Sequence, residues 1–307
     1  MDGLLAIDKP VGPTSHDAVA RVRRVLGARR VGHAGTLDPA ASGLLPLVVG
    51  RATRLVRFLS AADKRYEAKI RLGIETDTYD SAGRTIGAPY EGPPPSAELV
   101  TRAIEAFRGR FWQQPPAFSA KKIGGKRSHQ LARARARGAA VSEAEQAGPE
   151  LPPPAEVTVH AIDVVTCDGP LVTLRLTCSA GFYVRALAHD LGARLGTGAH
   201  LAALRRTGIG SLTVADAMTL DAAEQDPALA QARLVPMRTL LPDLPAGVLT
   251  REGVRRVAHG RELRPEDFSA RMGEGQFIRL LDEDGDLVGI ASRGSMPGTL
   301  HPSIVLM

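Results

Sequence analysis

Residues 32–44 (GHAGTLDPAASGL) constrain this chain more than any other segment, because they place one carboxylate, Asp38, between a glycine-rich turn and a proline. An aspartate before a proline is usually a turn residue, since its side chain caps turns and the proline fixes the next φ angle. Here His33 precedes it by five residues, and the nearby segments 28–30 and 51–54 are basic. An ionised carboxylate among cations in a tight pocket suits a nucleophile that acts on a polyanion.

The bulk composition favours a nucleic-acid partner and a reducing compartment. A net charge of +6 and a pI near 9.7 favour an anionic partner. The length of 307 residues predicts two domains, or one large domain with an appendage. The two cysteines, Cys167 and Cys178, form no CxxC pair, which argues for a reducing cytosol and against structural zinc. Residues 1–5 lack a signal-peptide pattern, and no apolar run approaches the roughly 18 residues of a membrane span. We therefore expect a cytoplasmic protein without a membrane partner.

Hydrophobic periodicity predicts short strands and helices in irregular succession. Residues 66–72 alternate strictly, as in a half-buried strand whose apolar face includes Tyr66. Further strands are predicted at residues 4–8, 157–165 and 171–178.

Three helices are predicted from their apolar faces and end residues. The first begins at Thr14, which supplies an N-cap, and ends at Gly27. The second is closed by Gly109, and its apolar side carries Leu99, Val100, Ala103, Ile104 and Phe107. The third covers residues 182–195.

The order of these elements implies an α+β core, because strands and helices do not alternate as they do in a doubly wound parallel sheet. A proline-bearing stretch at residues 236–245 predicts a linker. Beyond it, strands at 277–281 and 287–291 form a hairpin in a small, mostly β tail. Residues 121–142 carry seven Lys or Arg and no acidic residue, so we expect an arm that becomes ordered on RNA.

Several motifs resemble those of the TruB family of tRNA pseudouridine synthases. Residues 32–44 match the family's catalytic pattern without a gap, and its essential aspartate corresponds to Asp38. The tail from about residue 246 resembles the small PUA-type RNA-binding domain of these enzymes. The other similar segments are KPVGPTS (9–15), KRY (64–66), QPPAFSAKK (114–122), CSAGFYVR (178–185) and LRRT (204–207).

The resemblance implies a pseudouridine synthase catalytic core at residues 1–240, with a mixed β-sheet flanked by helices and an RNA-binding insertion at about 114–147. It also implies a PUA-like β domain at residues 246–307. The implied activity is isomerisation of uridine 55 in the T-loop of tRNA to pseudouridine. No cofactor, metal or obligate protein partner is implied, and a monomer is expected to bind the T-arm of tRNA. The implied site comprises catalytic Asp38 and the substrate-binding residues His33, Tyr66, Tyr183, Arg185 and Leu204.

Three residues depart from the family's pattern. Phe182 stands where a smaller or polar residue is common, and Arg54 replaces a usual lysine. His129 stands where the insertion usually has tyrosine. Only His129 falls on an expected RNA-contact loop, so a local contact is affected and the activity is not.

The implied chemistry requires little beyond a carboxylate in a cationic pocket. Making pseudouridine breaks the bond from ribose C1′ to base N1 and rejoins the ribose at base C5, without redox change or net hydrolysis. A carboxylate such as Asp38 needs no base to activate it, and Arg185 is its expected guanidinium partner. The residues alone leave open attack on the sugar, attack on the base, and removal of a sugar proton. Extruding a stacked base costs roughly a few kcal/mol, and stacking on Tyr66 contributes ~1–3 kcal/mol in return.

Two other functions fit parts of the sequence. The sequence contains two His-Asp pairs of the kind found in metal-dependent HD-type phosphohydrolases, His16-Asp17 and His189-Asp190. An ordered set of metal ligands is not evident. A non-catalytic tRNA-binding or remodelling protein would use the same basic groove and tail. The intact set of expected catalytic residues favours the synthase.

Overall fold

The computed structural model describes residues 1–119, 121–123, 126–128, 151–270 and 273–307. Most of the predicted arm at 121–142, much of the insertion at about 114–147, and His129 lie outside these residues. The described α-helices are α1 (Ser15–Val25), α2 (Val56–Ala61), α3 (Ala97–Ile104), α4 (Val184–Leu195), α5 (Leu220–Gln225), α6 (Pro227–Ala232) and α7 (Arg251–Ala258).

The described strands fall into two main sheets and two short hairpins. They are β1 (Gly3–Lys9), β2 (Val31–His33), β3 (Ala41–Val49), β4 (Lys64–Leu72), β5 (Glu75–Thr76), β6 (Thr85–Ile86), β7 (Gly109–Gln113), β8 (Lys122–Ile123), β9 (Lys126–Arg127), β10 (Ala155–Asp168), β11 (Leu171–Cys178), β12 (Ala199–Ile209), β13 (Leu212–Thr213), β14 (Met218–Thr219), β15 (Ala246–Val248), β16 (Phe277–Leu281), β17 (Leu287–Arg293) and β18 (Leu300–Val305).

A ten-stranded mixed sheet forms the body of the molecule, in the order β14-β1-β3-β12-β4-β11-β10-β7, with β2 and β13 pairing to β3 and β12. Strand β1 is parallel to β14, and β12 is parallel to β3, whereas the other pairs are antiparallel. The α+β class with a mixed sheet and flanking helices is therefore confirmed. The parallel β3–β12 pair matters for the site, because it brings residues 41–43 beside residues 204–206.

Two apolar clusters hold the helices against this sheet. Strand β4 buries Tyr66 and three further apolar residues on one face, as its alternation predicts, and helices α3 and α4 pack there. Helix α1 packs with β1, β3 and α5 in a second cluster that includes Leu37. Thr14 caps α1 as predicted, through a reciprocal capping box with Asp17.

The second predicted helix differs from the structure at both its apolar face and its end. Helix α3 ends at Ile104, and the 3₁₀ turn Glu105–Phe107 continues it. The predicted apolar residues Val100, Ala103, Ile104 and Phe107 are buried, whereas Leu99, in the first turn of α3, lies at the edge of this face and is 46% exposed. Gly109 does not close the helix but begins strand β7 with φ of +80°.

The tail forms a four-stranded sheet in the order β15-β16-β17-β18, with helix α7 packed on it. The predicted hairpin is present as β16 and β17. The tail also packs against the body, because Leu287, Ile290 and Leu306 share an apolar cluster with Leu4 and Leu44.

Basic residues next to the Asp38 motif bind this tail. Arg51 donates from Nη1 to the Leu306 carbonyl at 2.7 Å, and Arg54 donates to the Val305 carbonyl. The Arg57 guanidinium lies 5.6 Å from the centre of the Phe277 ring. The cations of segment 51–54, expected to surround the carboxylate, thus hold the tail to the body instead.

Candidate active site

Asp38 lies in the loop between β2 and β3. Hydrogen bonds from Gly12 and Ser15 fix the backbone of this loop on both sides of Asp38. From the α1 side, the Ser15 hydroxyl accepts from the Leu37 amide at 2.8 Å and donates to the Leu37 carbonyl at 2.9 Å. The Gly12 amide donates to the Pro39 carbonyl at 2.8 Å. Both neighbours of Asp38 are therefore fixed by the segment 9–15. The Asp38 side chain itself is 43% exposed, so it remains accessible.

Arg185 contacts Asp38 directly. It lies in the first turn of α4, and its Nε is 3.0 Å from Asp38 Oδ2. Its terminal nitrogens donate to the carbonyls of Thr78 at 3.1 Å and Phe118 at 2.9 Å. Because Arg185 is only 8% exposed and its donors have fixed partners, its guanidinium is held in one orientation toward the carboxylate.

Sequence reasoning missed a second carboxylate in this site, Asp80. Its Oδ2 lies 3.7 Å from Arg185 Nε, and its Oδ1 accepts from the Thr78 hydroxyl at 2.6 Å. The intervening Tyr79 has φ of +64° and stacks on His189 at 4.1 Å, with an interplanar angle of 7°. The stack holds the turn that presents both Asp80 and the Thr78 carbonyl to Arg185. No local pattern in the sequence marks Asp80 as part of the site.

Three buried cations lie behind the Asp38 loop, and we name Lys9, Lys64 and Arg206 the cationic layer. Backbone carbonyls satisfy all three. Lys9 donates to Pro10 at 2.7 Å and Pro13 at 2.9 Å, and Lys64 donates to the carbonyls of Ser60 and Ala62.

Arg206, only 1% exposed, spans the loop itself. It donates to the carbonyls of Leu44 at 2.7 Å, Thr36 at 3.1 Å and Gly35 at 3.0 Å.

Burial and mutual repulsion disfavour the charged forms of this layer. Burial is the main cause that lowers the pKa of Lys9, and Arg206 lowers that pKa further. Burial likewise lowers the pKa of Lys64 and of Arg206. The charge of Asp38 acts in the opposite direction on both Lys9 and Arg206, favouring their charged forms. The Asp38 charge therefore favours the charged forms of both cations against the effect of burial.

Tyr66 is almost completely buried. Its ring is 7% exposed and belongs to the main apolar cluster. Arg206 is its neighbour across the β4–β12 ladder, and the two side chains interact electrostatically. Burial raises the pKa of Tyr66, so the phenol stays neutral.

His33 and Tyr183 lie at the two ends of the site. The His33 ring makes an edge contact with His16 at 5.5 Å, and its buried Nδ1 has no hydrogen-bond partner among the residues that the structure describes. Burial, followed by His16 and Arg206, lowers the pKa of His33. Tyr183 caps α4, and the Gln113 side chain binds both its amide and its carbonyl. Burial raises the pKa of Tyr183, whose hydroxyl bonds to Ser119.

A cleft joins these parts. One wall is charged and the other apolar, so a flat polar ring would meet hydrogen-bonding groups along one edge and hydrocarbon on its face. Asp38, Arg185 and Leu204 of the predicted set line this cleft, whereas the predicted residues His33, Tyr66 and Tyr183 do not. The cleft is lined by Asp38, Ala40, Ala41, Asp80, Ser81, Arg185, Leu201, Ala202, Ala203 and Leu204.

The histidine-aspartate pairs have other local contacts. Asp17 accepts from the amide and hydroxyl of Thr14, as a helix cap does. His16 packs on His33, and His189 stacks on Tyr79. In the described part of the chain, no group of three or more His, Cys, Asp or Glu is arranged to hold a metal. No helix within the described ranges is both long and apolar enough to cross a membrane.

Known proteins resemble this chain over its full length. The family model described as TruB family pseudouridylate synthase (N terminal domain) matches residues 23–184, and that of the tRNA pseudouridylate synthase B C-terminal domain matches residues 185–242. The tRNA pseudouridine synthase B of Solibacter usitatus (strain Ellin6076) is 41% identical over 310 residues, covering 100% of both chains. That of Burkholderia mallei (strain NCTC 10247) is 43% identical, covering 98% of this chain and 96% of the relative.

Solved structures share the fold. A chain of a Cbf5-Nop10-Gar1 complex matches with a TM-score of 0.73 and 25% identity, over 99% of this chain and 85% of that chain. A chain of an H/ACA RNP bound to a substrate RNA containing 2′-deoxyuridine matches with a TM-score of 0.72 and 24% identity, over 99% and 85%. The family models together with the full-length relatives show that the chain belongs to the TruB family of tRNA pseudouridine synthases.

Proposed function

We propose that this pseudouridine synthase isomerises uridine 55 in the T-loop of tRNA, with Asp38 as its catalytic residue. The observation that carries the proposal is the 3.0 Å contact between Asp38 and a nearly buried Arg185 inside a cleft with an apolar wall. This arrangement presents one accessible carboxylate, in fixed orientation, to a ring that enters the cleft. The same carboxylate corresponds to the essential aspartate of the TruB catalytic pattern that residues 32–44 match.

The other site residues are proposed to hold the flipped uridine. Leu204 lines the apolar wall and would pack against the base. Tyr66 would stack on the uracil once substrate entry exposes its ring, contributing about 1–3 kcal/mol. Tyr183 and Arg185 flank the base near Asp38, and His33 fills space beside the loop. The three routes for the first step, at the sugar, at the base or at a sugar proton, all begin from this pose.

We further propose that the T-arm of tRNA is held by both parts of the chain, the catalytic domain at residues 1–240 and a PUA-like domain at 246–307. The net charge of +6 supports a polyanionic substrate. The curated relatives are named as tRNA pseudouridine synthases, which supports tRNA and a cytoplasmic site of action. A monomer acting without a protein partner completes the proposal.

Tritium release from unmodified tRNA labelled at uracil C5 tests this function without added metal. Wild type is expected to release one label per tRNA, and mapping of the product should place pseudouridine at position 55. The Asp38→Asn variant keeps the shape of the side chain but not its charge, and is expected to bind tRNA without releasing label. Turnover by Asp38→Asn at the wild-type rate would exclude Asp38 as the catalytic residue.

The alternative is a non-catalytic tRNA-binding or remodelling protein. Tight binding of tRNA by wild type with all label retained would favour it. Release of label from another position would keep the enzyme but replace uridine 55 as its target.

A further inference from the structure

Among the residues that the structure describes, two arginines at the site are buried, and the proposed chemistry gives a role to Arg185 but none to Arg206. Its three guanidinium nitrogens each bind a different carbonyl, those of Gly35, Thr36 and Leu44. Gly35 and Thr36 precede Asp38, and Leu44 follows it. One side chain therefore ties the entry and the exit of the loop that carries the carboxylate.

Two glycines of the loop, Gly35 and Gly43, lie next to Arg206. A Cβ atom on Gly43 would lie 2.3 Å from the Arg206 carbonyl oxygen and 2.8 Å from its amide nitrogen. A Cβ on Gly35 would lie 3.6 Å from Arg206 Nη1. Both glycines also have positive φ, of +105° at Gly35 and +103° at Gly43. The missing Cβ at Gly43 lets β3 approach the backbone of β12 at Arg206, whereas a Cβ at Gly35 would make only an ordinary van der Waals contact with the guanidinium.

Arg206 also links the loop to the residue proposed to stack on the base. It faces Tyr66 across the β4–β12 ladder, and its guanidinium interacts electrostatically with the Tyr66 phenol. A lysine could not replace these contacts, because an ammonium is a compact point charge and cannot reach several spaced acceptors with a rigid planar fork.

We infer that Arg206 is a positioning residue, which sets the Asp38 carboxylate relative to Tyr66 without touching the substrate. The inference rests on the proposed role of Asp38. Loss of the guanidinium should let the loop move by a fraction of an ångström to an ångström, while the RNA-binding surface stays in place. The rate of the chemical step should therefore fall, and the affinity for tRNA should not.

The test compares Arg206→Lys and Arg206→Gln with the neighbouring variant Arg205→Lys. Arg205 pairs with Asp8 at 2.7 Å and has a 41% exposed side chain, so it matches Arg206 in sequence context but not in its contacts. Single-turnover tritium release on unmodified tRNA should fall about 100-fold in both Arg206 variants, the loss typical of a 1 Å misplacement. The Kd for tRNA should stay within about threefold of wild type, and Arg205→Lys should retain the wild-type rate.

Hydrogen exchange on free protein supplies a readout that does not depend on activity. Peptides covering residues 33–44 should exchange faster in Arg206→Lys, whereas peptides from the tail at 246–307 should not change. A wild-type rate in both Arg206 variants would overturn the inference. It would also be overturned by failure of both variants to fold, or by faster exchange throughout the chain, since Arg206 would then be a general stability residue. Inactive wild type would instead remove the proposed function, and the exchange result would still decide whether Arg206 holds the loop.

Discussion

Replacing Gly43 by alanine should lower the free energy of unfolding, because β3 and β12 approach each other too closely at this position to leave room for a Cβ atom. The new Cβ would lie 2.3 Å from the Arg206 carbonyl oxygen, inside the 3.0 Å that real Cβ atoms essentially never cross. The obstacle is backbone, so the two strands must separate locally, and such overpacking costs about 1–3 kcal/mol. The φ of +103° adds about 1–3 kcal/mol of backbone strain for a residue with a side chain. Together they predict a loss of about 2–6 kcal/mol, against a typical total stability of roughly 5–15 kcal/mol.

Gly12 supplies the matched control for this prediction. Its φ is +111°, close to that of Gly43, but a Cβ there would meet nothing within 4 Å. Gly12→Ala should therefore show only the strain, about 1–3 kcal/mol. Urea unfolding followed by circular dichroism gives both values, and their difference isolates the contact with Arg206. Equal destabilisation by the two substitutions would refute the close approach of β3 to β12 as the reason for glycine at position 43.

Two further predictions concern pH and the tail. Burial lowers the pKa of His33 in the folded protein below its ordinary value of 6.5. Just below pH 6.5 the unfolded chain therefore binds more protons than the folded protein does, so the free energy of unfolding of wild type should fall as the pH drops through 6.5. His33→Gln should lose less urea stability between about pH 7.5 and about pH 5 than wild type does, and an equal loss would contradict this. Deleting residues 246–307 should destabilise the body by on the order of 5 kcal/mol, because Leu287, Ile290 and Leu306 leave the apolar cluster around Leu4. A truncated protein that unfolds at the wild-type urea midpoint would show that the tail is a separable module.

Local patterns predicted the elements whose determinants are local. The capping of α1 by Thr14, the alternation of β4 and the β16–β17 hairpin each depend on neighbouring residues, and each is present. The exposure of Leu99 differs from the prediction because Leu99 lies at the edge of the apolar face of α3, where helical spacing alone does not decide how far the neighbouring sheet extends.

The candidate site was predictable only where a motif marks it. Asp38 stands in a long unbroken pattern, and its contact with Arg185 follows from how two distant segments fold together. The presence of Asp80 in the site could not be predicted from the sequence, because its position depends on a turn that the stack of Tyr79 on His189 holds. Likewise, the sequence suggests that Arg51 interacts with a polyanion, whereas in the structure it donates to the Leu306 carbonyl. Charge in a sequence indicates that a partner exists, but not whether the partner is a ligand or the chain's own backbone.

The cationic layer of Lys9, Lys64 and Arg206 has a consequence for what happens when RNA arrives. Coulomb attraction between unit charges 4 Å apart grows from about 1 kcal/mol in water to about 4 kcal/mol at an effective dielectric constant of 20. Backbone carbonyls already hold these cations, so they do not reorganise as water leaves the cleft. A nucleotide that fills the cleft excludes water and so lowers the local dielectric constant, which strengthens the electric field of these cations at Asp38. The substrate itself thus creates the low-dielectric surroundings in which the cationic layer acts most strongly on Asp38. A ligand too small to exclude water from the cleft should leave this attraction weak.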